Sequence, residues 1–184
     1  TLEIASTGRL GGGSYAAAIT NNGTLIYSGT NNQALSGAIS GTGALTHNAT
    51  STLTLSNNNT YSGATTINAG TIEIAAAGRL GGGAYSGNIA NSGLLIYSGT
   101  NNQTLSGIIS GNGALTQNNT GTLTLSGNNT YTGTTTINSG TLAIGANMTL
   151  GVLAGTGNLS LGNGFTLTTN TSTSNTFSGV VIGS

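Results

Sequence analysis

Residues Gly121 to Gly145 read GTLTLSGNNTYTGTTTINSGTLAIG, and the same sentence stands seventy residues earlier, from Ser51 to Ala75, as STLTLSNNNTYSGATTINAGTIEIA. A third, eroded form closes the chain at Asn175 to Gly179, where NTFSG replaces NTYTG. In Thr122-Leu123-Thr124-Leu125 the leucines fall on one side and the threonines on the other, the period-two pattern of a half-buried strand. Thr71-Ile72-Glu73-Ile74, Leu142-Ala143-Ile144 and Thr166-Leu167-Thr168 repeat it. Between such runs stand Ser-Gly, Asn-Gly and Asn-Asn pairs, the residues that turn a chain sharply at low steric cost. No segment shows a helical period with caps.

Beyond this stretch, residues 1–70 align with 71–140 without a gap and agree at about fifty positions. Thr141 to Ser184 forms a shorter third unit. Asn129 and Asn175, the first residues of NTYTG and NTFSG, are 46 residues apart, so the third unit lacks about 24. A seventy-residue unit that can lose a little over twenty is composite, and its pieces have the length of one coil of a parallel β-solenoid. The expected fold is therefore all-β, a right-handed parallel β-helix of about eight coils without helices, forming one solenoid domain over residues 1–184. Near-identical units suit a solenoid, where equivalent residues are expected to stack directly above one another at roughly 4.8 Å. Eight coils predict a rod of roughly 35–40 Å.

Composition narrows the function. Only four residues are charged, Glu3, Arg9, Glu73 and Arg79, and the net charge is zero. A globular chain averages about one quarter charged residues. Two arginines seventy residues apart make no polybasic patch, so neither nucleic acid nor an anionic membrane is an expected partner. The absence of cysteine excludes disulfides and thiolate metal sites. No run of about twenty apolar residues is present to span a membrane as a helix. The absence of proline and the regular return of Leu and Ile argue for ordered β structure over a disordered linker.

Each chemistry-bearing candidate has a plainer reading beside it. GRLGGG, at Gly8–Gly13 and Gly78–Gly83, lacks the Lys-Ser/Thr ending of a phosphate loop and any helix to follow it, and reads as a wide corner. Glu3 with Arg9, and Glu73 with Arg79, read as ion pairs within a turn; glycosidic chemistry needs two facing carboxylates, and these two are separated by an expected three coils. His47, whose counterpart is Gln117, lacks the partners of a catalytic base or metal ligand and reads as a solvated turn residue. Tyr27, Tyr61, Tyr97, Tyr131 and Phe177 recur at fixed places and read as packing, with an exposed sugar-binding stripe as the alternative. For Asn31–Asn32, Asn57–Asn59, Asn101–Asn102 and Asn128–Asn129 two readings stand level: hydrogen-bonded ladders between coils, or tolerance of left-handed turns. The Asn-x-Thr triplets at Asn48 and Asn147 are explained by the abundance of both residues. No catalytic, cofactor-binding or metal-ligating residue is expected, and no enzymatic activity.

The segments Gly121–Gly145 and Ser51–Ala75 resemble the passenger-associated transport repeat of bacterial autotransporters, also described as the autotransporter-associated β-strand repeat. The resemblance implies a β-helical passenger segment at the bacterial surface or outside the cell, in an adhesin, an aggregation factor or another surface structure, and it transfers no catalytic residue. The expected function is that of a structural segment of an adhesin or extracellular fibre, nearly indifferent to salt and pH. NTFSGVVIGS stands in phase with the opening TLEIA, so the expected partners are a second copy stacked head to tail or neighbouring repeats of a longer passenger, with host or matrix glycans besides. The alternative is a ligand-binding module for polysaccharide or ice using Thr and Asn faces, although Leu94 and Ala114 interrupt the Thr column that a flat ice-like lattice requires.

Overall fold

A computed structural model describes residues 1–169 and 176–183. It is a parallel β-solenoid of about nine turns, one more than the repeat lengths suggested. Asn175, which opens the third copy of the motif, and Ser184 lie outside the described residues, whereas Phe177 of that motif bridges Gly155 in the turn beneath. Every strand pairing among the described residues is parallel, and partners are about twenty residues apart in sequence. No α-helix occurs among the described residues; two short 3-10 turns, Leu10–Gly13 and Gly81–Gly83, are the only helical pieces there.

Three strands make one turn, so the coil has three faces. On the first, Leu2, Leu25, Leu45, Thr65, Ile89 and Ile109 lie one above another. On the second the column runs Gln33, Leu53, Ile72, Leu95, Leu115, Thr135, Leu153. On the third it runs Ala84, Thr104, Thr124, Ala143, Ser160, Ile182. The alternation read from the sequence decides which side chains enter: Leu123 and Leu125 are buried while Thr122 and Thr124 are not, and Ile72 and Ile74 are buried on either side of Glu73. The interior is a narrow stack of Leu, Ile and Tyr enclosed by strands on three faces.

A turn has three sides of about seven residues, so the seventy-residue unit holds ten sides, or three turns and one third. Successive units are therefore rotated by one face. Leu2–Ser6 lies on the first face, its equivalent Thr71–Ala76 on the second, and Thr141–Ile144 on the third. This corrects the expectation of a three-coil unit with equivalent residues stacked on themselves. Residues of one unit stack instead on different residues of a neighbouring turn, such as His47 on Tyr27 and Tyr85 on Tyr61. The shorter third unit has lost three sides. Because three sides make a whole turn, Phe177 still arrives one face beyond Tyr131, on the column of Ile137 and Gly155.

Corners are glycine columns where backbone passes directly over backbone. A Cβ on Gly113 would lie 2.6 Å from the carbonyl oxygen of Gly93, and one on Gly99 would lie 2.8 Å from that of Gly78. Neither has room for a side chain without moving a turn. The GRLGGG segments are wide corners, as the sequence implied. The steps from Leu2 to Leu25 and from Thr65 to Ile89, which contain or precede them, are each longer than the step from Leu25 to Leu45. The excess leaves the coil as a bulge in which Gly81, Gly82 and Gly83 adopt φ of 57°, 68° and 103°.

Candidate functional site

Most of the singled-out polar residues serve the coil. His47 is fully buried, which corrects its reading as a solvated turn residue. Its ring stacks on Tyr27 with centroids 5.8 Å apart and planes 14° from parallel. Its Nε2 bonds the carbonyl of Ser51 at 2.8 Å across the following corner. Gln117 performs the same task one face on, donating from Nε2 to the carbonyl of Gly121 at 3.0 Å.

The tyrosines obey the same rule. Tyr27 donates to the carbonyl of Asn31, Tyr97 to that of Asn101, and Tyr61 and Tyr131 bond the hydroxyls of Thr65 and Thr135. In these six cases an interior polar group at position i bonds a group at i+4. Burial holds the Tyr61 hydroxyl well above the usual phenol range and pushes that of Tyr131 up to about 12, with the Thr135 bond opposing the shift. All four tyrosines are at most 2% exposed, so they are packing residues and form no sugar-binding stripe. Phe177 is half-buried.

The carboxylates do not form the expected ion pairs: among the described residues no salt bridge joins Glu3 to Arg9 or Glu73 to Arg79. Instead Ser28 Oγ donates to Glu3 and Ser98 Oγ to Glu73, both at 2.6 Å. The two carboxylates stand on different faces, three and a third turns apart, and do not converge. No group of three or more metal-ligating side chains occurs among the described residues.

Asparagine bonds between turns. Asn68 donates to Asn48 at 2.6 Å on the first face and Asn138 to Asn118 at 3.3 Å on the second, two single side-chain bonds between turns. More often the amide oxygen accepts a backbone N–H of an adjacent turn, as Asn32 does from Thr52, Asn59 from Ile39, Asn102 from Thr122 and Asn129 from Ile109. The only non-glycine residues with positive φ among those described are Ser6 and Ala76, so asparagine is not there to supply left-handed turns.

One surface feature stands apart. Asn128–Thr132 and Asn147–Gly151, with Thr166 and Thr168 above, line an open groove of about 620 Å³ on the first face. Its rims are the exposed Asn128, Thr130, Thr132, Asn147, Thr149, Thr166 and Thr168; the nearly buried Asn129, Tyr131, Met148 and Leu150 form its floor. Nothing in the sequence reading singled it out. A signal was nevertheless present, because the third unit reads ANMTLG where the second reads AAAGRLGGG.

A protein-family model, the passenger-associated-transport-repeat, matches residues 50–74 and 115–144. The first match runs from a second-face strand through NTYSG to the next second-face strand, one complete turn. The second passes from Leu115 on the second face to Ile144 on the third, and it contains the lower wall of the groove. No curated protein and no solved structure matches the chain. Two segments of the chain thus match the passenger-associated-transport-repeat, each wound into the solenoid.

Proposed function

We propose that this solenoid is a structural, non-enzymatic segment of an autotransporter-type passenger, secreted or displayed at the bacterial surface as part of an adhesin or extracellular fibre. The observation that carries the reading is a parallel stack of about nine turns in which the transport-repeat model matches residues 50–74 and 115–144. Nine turns at a strand spacing of about 4.8 Å extend the rod by roughly 40 Å. Its outer surface is Thr, Ser and Asn, with four charges in 184 residues, so the rod exposes a neutral, hydrogen-bonding face.

Within this reading the outermost strands are elongation surfaces. Leu2 on one outermost strand and Val181 and Ile182 on the other are 56%, 62% and 49% exposed, and a further turn, in the same polypeptide or from a second copy stacked head to tail, covers them. Neither outermost strand carries a proline, and the one charge on them, Glu3 of Leu2–Ser6, is engaged by Ser28 Oγ of the next turn. Electron microscopy of the native material should show rods whose length grows in steps of the solenoid and whose melting temperature is unchanged between about 0.05 and 1 M salt, since surface ion pairs contribute nothing here to be screened. Compact particles, or a melt that moves by many degrees with salt, would count against it. Ligand binding by the Thr and Asn faces is favoured as a second role by one observation, the groove.

A further inference from the structure

The groove has an internal control in the repeat. Asn58–Gly63 of the first unit is the equivalent of Asn128–Gly133, and there the wall is covered by the bulge of the next turn. Arg79 donates from its backbone N–H to Asn57 O at 3.1 Å and accepts from Asn59 N–H at 2.8 Å, and Gly82 N–H donates to Asn59 O at 3.1 Å. Asn59 Nδ2 also reaches Arg79 O, at 3.3 Å. The turn above Gly63 takes the long way round, through the bulge, before it crosses at Gly87, whereas the turn above Thr132 crosses at Gly151 by a shorter path. Without the bulge, no backbone hydrogen bond joins 128–132 to 147–151 among the described residues, and Asn129 N–H folds back to Gly127 O at 2.9 Å. The open groove is therefore the seat of a GRLGGG segment with the segment removed.

We propose that the groove at Asn128–Thr132 is a docking site for a second copy of this chain, which inserts its Gly8–Gly13 segment there. Three observations favour that occupant. The segment has the sequence that fills the equivalent seat. It is already shaped for it, since Gly11, Gly12 and Gly13 hold φ of 55°, 67° and 110° against 57°, 68° and 103° in the seated copy, so little ordering entropy opposes binding. It is also presented outward: Arg9 is exposed, whereas Arg79 of the seated copy is half-buried. The rims offer amides and hydroxyls without charge, which suits a backbone ligand, and no exposed aromatic ring is present on them to stack a sugar. This self-docking is lateral and stands independently of the end-to-end stacking above.

The test titrates the peptide TGRLGGGS, the sequence of Thr7–Ser14, into the full-length labelled chain and follows backbone amide shifts, alongside sedimentation of the chain alone. Saturable shifts confined to Asn128–Thr132 and Asn147–Gly151 are expected, abolished by Thr149→Trp, which plugs the groove from an exposed position. The same variant should weaken self-association at least tenfold. Thr168→Trp provides a second plug should the first disturb the melt. A chain that stays monomeric at millimolar concentration, association untouched by both plugs, or groove amides that move only with a neutral oligosaccharide such as cellohexaose would each overturn the proposal.

Discussion

His47 shows what a residue can and cannot disclose from its letter alone. A lone histidine among Thr and Asn looks solvated, yet it is sealed against Tyr27 with Nε2 on the carbonyl of Ser51. What decides the matter is the alternation: His47 falls two residues after Leu45, on the inward side of its strand. The repeat already states which replacement is admissible, because Gln117 fills the equivalent place and bonds Gly121. His47→Gln should therefore keep stability within about 1 kcal/mol of the parent, as a shape-compatible donor that still satisfies the corner carbonyl. His47→Ala should cost about 2–4 kcal/mol, combining a cavity beneath the Ile67 layer with an unbonded buried carbonyl. Urea denaturation of the two variants distinguishes them; equal losses would mean that the corner bond is not what holds this residue inside. The carboxylates teach the complementary lesson. Glu–Arg spacing in a short segment suggested a pair, but a strand points Glu3 across the turn boundary to Ser28 instead.

At the scale of the strand and corner, the recurrent device is an interior polar side chain tied to the corner four residues on. The strands themselves were readable, because Thr-Leu-Thr-Leu alternation specifies inward and outward positions without help from the rest of the chain. The corner ties were not, since Tyr and Thr four apart have no signature distinct from packing until the path of the corner is known. Their energetic consequence is a stability that depends on pH at one end only. The hydroxyl of Tyr131 is neutral and bonded to Thr135 inside the coil, with its pKa raised to about 12, and that of Tyr61 is held well above the usual phenol range by the same burial. Below the unfolded value of about 10 both states are protonated and the contribution is fully present. Above it the unfolded chain ionises while the folded one does not, so stability falls from about pH 10 and is lost as pH passes the folded value. Two units correspond to about 2–3 kcal/mol for Tyr131 alone. Denaturation midpoints followed through this range should drop steeply above about pH 10, and Tyr131→Phe should flatten the fall. A flat profile to pH 12 would refute the burial of these hydroxyls.

At the scale of the molecule, period and pitch are separate quantities. The seventy-residue period was plain in the letters, and so was a parallel solenoid of about twenty residues per turn. The one-face rotation between units was not, because three strands per turn and ten sides per unit emerge only when pairing partners are known: Thr71 sits on Thr52 and under Leu94, never on Thr1. The groove was hidden for the same reason, since the loss of a bulge matters only to the residues directly beneath it. This geometry dictates which deletions the fold can absorb. Removing Leu94–Gly113 takes out one whole turn: Ala114 then occupies the place of Leu94 above Thr71, with the corner glycine columns kept in line. Removing Thr104–Gly113 takes out half a turn, and every later corner then falls over a strand, leaving backbone groups unpaired and side chains where the glycine columns leave no room. The whole-turn variant should melt in a single cooperative transition, with its urea m-value lower by roughly one ninth, in proportion to the surface buried. The half-turn variant should lose that transition. If both variants melted alike, the register across faces would not be what holds the rod together, and the natural shortening of the third unit would need an explanation other than the loss of a complete turn.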